Sequence, residues 1–182
     1  MERYIKLLRE STELIQPWLK NEKVELSNFT KWSNFKIKDI FIKLKIKKFS
    51  STPEENKGEI KFVTSKSSDQ GVDDWIDTKH FITNVITVST NGNCFDCFYH
   101  ERKIAISSDV EVLTNDYYLN KFNAHFITSI LKLEQKKWNY GRKPKNNAII
   151  ETVIKLPADQ NGKPDWNFME RYVKYLPYSK YI

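Results

Sequence analysis

Apolar positions in residues 4–18 fall at Tyr4, Leu7, Leu8, Leu14, Ile15 and Trp18, a spacing that gathers them on one helical stripe. Pro17 disfavours helical geometry in the residue before it, so the predicted helix stops near Gln16. From Trp32 the period changes. FKIKDIFIKLKIKKF alternates through Phe35 and Ile37, shifts after Asp39, and resumes through Phe41 or Ile42, Leu44 and Ile46. That pattern predicts a strand with lysines on its open face. SSTPEENKG reads as a polar loop, EIKFVTSK as a short buried strand, and KSSDQGVDDWID as a turn-rich stretch. FITNVITVST is β-branched, and the Asn91-Gly92 pair after it signals a hairpin before CFDCFYH. KIAISSDVEVLT predicts a further strand or pair of strands.

A helical period returns in YLNKFNAHFITSILKLEQKKW through Leu119, Phe122, Phe126, Ile127, Ile130, Leu131 and Leu133. Gly141 then stands where a helix-terminating glycine is expected, with Pro144 beyond it as a stop. AIIETVIKLP is a last apolar run, ended by Pro157, and ADQNGKPD is a loop. Asp165 is the expected N-cap of WNFMERYVKYL. Trp166, Met169, Val173 and Leu176 make one stripe of this helix, and Phe168, Tyr172 and Tyr175 a second. A helix apolar on both sides requires neighbours on both. The sum is an α+β fold: a twisted, mostly β core with a packed helix, plus N- and C-terminal helices.

Composition narrows the partners. At 182 residues the chain suits one domain, and 40% hydrophobic with 14% aromatic residues can fill its core. Thirty Lys and Arg against 23 Asp and Glu leave a formal charge of +7, which favours a polyanionic partner. A Lys- and Asn-rich chain from an AT-rich genome would show the same excess, so charge alone does not choose. No segment reaches the roughly 20 apolar residues that a bilayer crossing needs. MERYIKLLRE is charged throughout, unlike a signal peptide, and a cytoplasmic location is expected.

Several constellations carry possible chemistry. Cys94 and Cys97 have zinc-knuckle or redox spacing, but there is no second such pair, and His80, His100 and His125 are scattered. Buried free cysteines are the expectation, with no metal and no cofactor. Asp39, Glu59 and Lys61 imitate a Mg²⁺ nuclease pattern, in which two carboxylates hold the ion beside a lysine. Ser107-Ser108-Asp109 reads as a turn with the aspartate bonding its own backbone. In KKWNYGRKP, Trp138 and Tyr140 could stack on bases or sugars while Arg142 and Lys143 meet phosphates. The competing reading is a helix end whose cations favour the dipole and whose rings cover the core.

The order FKIKDIF, GEIKFVTSK, FITNVITVSTNGNCFDCFYHERKIAISSDVEVL, WNYGRKPKNNAIIETVIKLP and NGKPDWNFMERYVKYLP resembles the target recognition domain of restriction–modification specificity proteins. These are the S subunits of type I systems and the related domains of type IIG and IIB enzymes. The resemblance runs from about Phe35 to Pro177, and Ile154 to Leu176 is its most specific piece. It implies a non-catalytic reader of double-stranded DNA with a mixed α/β recognition domain. In that family two such domains are joined by long antiparallel helices that dock the methyltransferase subunits. The implied division is an N-terminal helix over 1–26, a recognition domain over 27–157, and the start of the linking helix over 158–182.

On this resemblance, Lys66, Arg142, Lys143 and Lys145 are expected to position phosphates. Ser65, Ser67, Asn91, Asn93 and Tyr140 are candidates for groove or backbone contacts. The loop from Ser65 to Asp77 is where members read different sequences. Trp166, Met169, Tyr172, Val173 and Leu176 are the expected subunit interface. Cys94 and Cys97 fall where the family shows small or apolar residues. The implied partners are DNA, a methyltransferase (modification) subunit and a restriction subunit. With one recognition domain, the chain would be a half-subunit that pairs with another copy, a split partner, or a piece of a longer reader. The rivals are the small Mg²⁺ nuclease on Asp39, Glu59 and Lys61, and an interaction module that binds a methyltransferase without reading DNA.

Overall fold

The computed structural model describes residues 31–52, 58–139, 141–144 and 147–182; the helix expected over residues 2–16 lies outside them. The first strand, β1 (Trp32–Lys36), is followed by a single helical turn, α1 (Ile37–Ile40), and then by the short strands β2 (Ile42–Lys43) and β3 (Lys48–Phe49). The pattern predicted one strand with a shift after Asp39, and the shift is this helical turn. Ile37 and Ile40 are both buried, which residues three apart achieve together on a helix and not on a strand. The Ile37 amide is also held by the Thr152 carbonyl at 3.0 Å.

Among the described residues the strands form three sheets. β1 pairs antiparallel with the last strand, β10 (Val153–Pro157), setting Trp32 opposite Pro157. A four-stranded antiparallel sheet has the order β2, β9 (Val110–Thr114), β6 (Val85–Ser89), β7 (Cys97–His100). Every residue of β6 is buried, because both faces of this sheet are covered. Val85, Val110 and Val112 pack towards the other large sheet, while Ile86, Val88 and Leu113 pack towards the helices.

The second four-stranded sheet has the order β3, β8 (Ile104–Ser107), β4 (Ile60–Val63), β5 (Val72–Ile76). β8 runs parallel to both β3 and β4, and β5 closes the edge antiparallel to β4. The stretch read as turn-rich therefore also holds a strand. Only Asp69–Gly71 is a turn, with Asp69, Gln70 and Gly71 all at positive φ. β5 escapes the pattern because it is an edge strand exposing Asp73, Asp74 and Trp75. β8 and β9 are the expected pair, yet they do not bond to each other: Ser108-Asp109 carries the chain from one sheet to the other.

Helix α2 (Lys121–Leu133) opens with a capping box, in which the Asn120 side chain accepts from the backbone of Phe122 and Asn123 and the Asn123 side chain accepts from the Asn120 amide. Its buried face of Ala124, Phe126, Ile127 and Leu131 lies over the β7 side of the first large sheet. The predicted glycine stop does not operate. The helix ends at Leu133, runs through a 3-10 turn over Glu134–Lys137, and Trp138 then turns extended into the core. Gly141 lies instead in a turn where Asn139 and Arg142 exchange backbone bonds of 3.3 and 2.9 Å. A short helix, α3 (Ala148–Glu151), precedes β10. Asp165 caps the final helix, α4 (Trp166–Tyr175), its Oδ1 accepting from the Phe168 amide at 2.9 Å as the sequence predicts.

Candidate nucleic-acid interface

Three loops far apart in sequence meet at the ends of β4 and β6. Gly92, at φ +57°, turns the chain between Asn91 and Asn93. A Cβ on it would stand 3.5 Å from the Ser65 carbonyl, so the 64–67 segment lies directly on this turn. Asn93 Nδ2 donates to Ser67 Oγ at 2.7 Å. Asn91 is the hub: its Oδ1 accepts from Lys143 Nζ at 2.7 Å and from the Gly92 amide at 3.0 Å, and its Nδ2 donates to Asp109 Oδ2 at 3.3 Å. Ser65, Ser67, Asn91, Asn93 and Lys143 thus occupy one exposed or half-buried face.

Ser108 and Asp109 form the expected turn, but the Asp109 carboxylate takes the Asn91 amide and its carbonyl accepts from the Thr90 amide and hydroxyl at 2.9 and 3.0 Å, so the turn braces the neighbouring loop. The oxygen that Asn91 offers Lys143 belongs to a neutral amide, not to a carboxylate. Lys66 is more constrained. Its Nζ pairs with Asp69 at 3.3 Å and Asp73 at 3.9 Å and donates to the Val72 carbonyl at 3.3 Å, holding the loop onto β5.

Arg142 is mounted on aromatic rings. Its guanidinium carbon lies 5.6 Å from the Trp138 ring centroid. Trp138 in turn stacks on Phe95 at 5.6 Å with 3° between the planes, and Phe95 is fully buried. Phe95 sits at φ +66°, a backbone state that costs a non-glycine residue roughly 1–2 kcal/mol. Its buried ring and its amide bond to the Ser89 carbonyl at 2.8 Å hold it there. In KKWNYGRKP, Trp138 covers the core, as the helix-end reading expects of its rings, while Arg142 stays exposed above it. No sequence signal marks Phe95 as the base of this stack. Tyr140 and Lys145 lie outside the described residues.

The expected subunit face of α4 divides. Met169 and Val173 are buried in the chain's own core, where α4 packs on α2, and so do not present a free surface. Trp166 is half-buried, stacked on Tyr118 with ring centroids 5.3 Å apart. Tyr172 is half-buried against Phe126, and Leu176 is exposed.

The other constellations do not assemble. Asp39 lines a cleft with Trp166 and Asp165, whereas Glu59 and Lys61 line a separate one with Trp75 and Arg102. Among the described residues no group of three His, Cys, Asp or Glu side chains is placed to hold a metal ion. Cys94 and Cys97 are free and buried. Burial pushes the Cys97 thiol up to about 12, and its Sγ donates to the Thr128 carbonyl at 3.4 Å. Buried His100 is drawn down to about 4 by desolvation, with Lys61 adding to the shift, and its Nε2 lies 3.1 Å from Thr87 Oγ1. No helix among the described residues is long and apolar enough to cross a membrane.

Residues 30–177 match the family described as the type I restriction modification DNA specificity domain. The type II restriction enzyme BgcI specificity subunit S.BcgI of Heyndrickxia coagulans is 32% identical over 148 residues, which is 78% of this chain and 42% of that protein. The fold is shared with the HsdS subunit from Thermoanaerobacter tengcongensis, at a TM-score of 0.57 and 15% identity over 100% of this chain and 48% of that one. It is shared also with the type I restriction–modification S subunit from M. genitalium, at 0.60 and 13% over 99% and 50%. The chain spans half or less of the length of each of these proteins. With most of its length matched to that one family and a relative above 30% identity, the chain belongs to the type I restriction–modification DNA specificity domain family.

Proposed function

We propose that this chain reads a sequence in double-stranded DNA and so directs the methyltransferase and restriction subunits of a restriction–modification system to their target. The observation that carries this is the joining of the 65–67, 91–93 and 142–143 loops, by Asn93 to Ser67 and by Asn91 to Lys143, into one polar, cation-bearing face. Asn93 and Ser67 offer amide and hydroxyl groups suited to base edges. Arg142 and Lys143 supply the charge that positions phosphates, and an arginine already stacked on Trp138 loses little further freedom on binding. The chain itself is read as non-catalytic, the methylation and cleavage being the work of its partners in the cytoplasm. The separation of Asp39 from Glu59 and Lys61 supports that reading over a small nuclease.

Because its relatives are about twice as long, we infer that a complete reader needs a second recognition domain, supplied by another copy or by more of the same chain. The exposed edge of α4 around Leu176, with Trp166 and Tyr172 beside it, is our candidate for the surface that meets the linking helices. Residues 27–157 carry the reading loops in this scheme.

The test starts from a random duplex pool and selects what the full chain retains. A consensus sequence should emerge, and Arg142→Ala and Lys143→Ala should each flatten the log–log salt dependence of its binding by roughly 0.9. A chain that retains no duplex, alone or with a modification subunit, would overturn the proposal.

A further inference from the structure

We propose that Lys45 and Lys47 form a phosphate-binding stripe that extends the reading face and grips the backbone of the same DNA duplex. This rests on the DNA-reading function proposed above, and adds to it a contact outside the loops. The stripe lies on the segment linking β2 to β3, which crosses from one large sheet to the other.

Burial along this segment alternates. Leu44 and Ile46 pack into the core between the sheets, while Lys45 and Lys47 are exposed. The flanking lysines differ. Lys43 and Lys48 converge on Glu111 at 3.2 and 3.0 Å, and they fasten the segment to β9 at both ends. Neither Lys45 nor Lys47 has a carboxylate partner among the described residues, so the segment and Glu111 together carry a charge of +3. An extended segment advances about 3.3 Å per residue, which sets Lys45 and Lys47 roughly 6.6 Å apart on one face. One DNA strand carries a phosphate about every 3.4 Å along the helix axis, so the two ammonium groups can meet phosphates of a single strand.

Position selects the duplex as the occupant. Lys47 Nζ leans over the Phe49 ring, 5.5 Å from its centroid. The Phe49 carbonyl accepts from the Ser108 amide at 2.8 Å, and the next residue, Asp109, bonds the Asn91 hub that holds Lys143. The stripe therefore begins beside the end of the sheets where the three loops meet. An anchored backbone with outward cations costs little ordering on contact, and its reach is independent of base identity.

The test compares the full chain with Lys45→Ala/Lys47→Ala and Lys45→Arg/Lys47→Arg, on a duplex selected by the wild type and on a scrambled duplex of equal length. The alanine pair should weaken both duplexes alike, keep their ratio, and lower the log–log salt slope by about 1.8. The arginine pair should restore the slope. An unchanged slope in the alanine pair, with a wild type that binds DNA, would overturn the stripe and leave the reading loops standing. A changed ratio between the two duplexes would overturn it too, in favour of base contact. Lost affinity for poly-glutamate with an unchanged DNA slope would assign the stripe to an acidic protein and overturn it. A wild type that binds neither duplex overturns both proposals.

Discussion

The convergence of the three loops can be measured by a double-mutant cycle on Asn91 and Lys143. Asn91→Ala removes the acceptor for Lys143 Nζ at 2.7 Å and for the Gly92 amide at 3.0 Å, and the donor to Asp109 at 3.3 Å. A neutral hydrogen bond contributes about 0.5–1.5 kcal/mol net and one from a charged group somewhat more, but this site is half exposed and water replaces part of the loss. The single change should cost roughly 1.5–2 kcal/mol of folding stability, and Lys143→Ala roughly 1 kcal/mol. Their shared bond is lost once in either variant, so the double variant should be less destabilised than the sum by roughly 1 kcal/mol. Urea unfolding followed by tryptophan fluorescence reads all four proteins. Coupling within about 0.3 kcal/mol of zero would mean that the loops touch without supporting one another, and would refute the hub.

Two further outcomes follow from burial. Met169→Ala leaves a cavity in the core and should cost about 2–5 kcal/mol, against under about 0.5 for Leu176→Ala; equal costs in urea unfolding would contradict the division of α4 into a core side and an outward side. His100 has a folded pKa near 4, below its unfolded value of 6.5, so the unfolded chain binds the extra proton between these pH values. Stability should then be fully present above about pH 6.5 and fall as pH drops, by roughly 2 kcal/mol at pH 5, with His125 shifted in the same direction and adding to the loss. His100→Gln should flatten that slope, and a wild-type profile already flat from pH 7.5 to 5 would refute it.

How legible these features were in the sequence depended on whether local pattern or distant pairing decided them. The Asp165 cap and the helix after it are local, and both were readable. β6 was readable because a run of β-branched residues admits few other placements; of the cysteines read as buried in a strand, Cys97 lies in β7 and Cys94 is buried in the turn before it. β5 was hidden because it is an edge strand whose adjacent Asp73 and Asp74, with Trp75, are all exposed, so no apolar–polar alternation marks it. α1 was hidden because a single turn is too short to show a helical period inside a strand-like stretch. The candidate cations and amides of the loops were nameable from family resemblance, but their meeting was not. It depends on Asn91 reaching both Asp109 and Lys143, contacts across 18 and 52 positions of chain.

The pairing of β1 with β10 has a consequence for how such a protein can change. Trp32 lies opposite Pro157, and the Ala158 amide bonds the Lys31 carbonyl at 2.8 Å, so the chain arrives and departs at one spot. Everything that forms the loop face lies between those points. A segment whose ends are held side by side can be exchanged for another of different loop sequence while the flanking chain keeps its course. On the function proposed above, a new specificity is acquired whole, by recombination at two neighbouring places, with no need to rebuild the fold one substitution at a time.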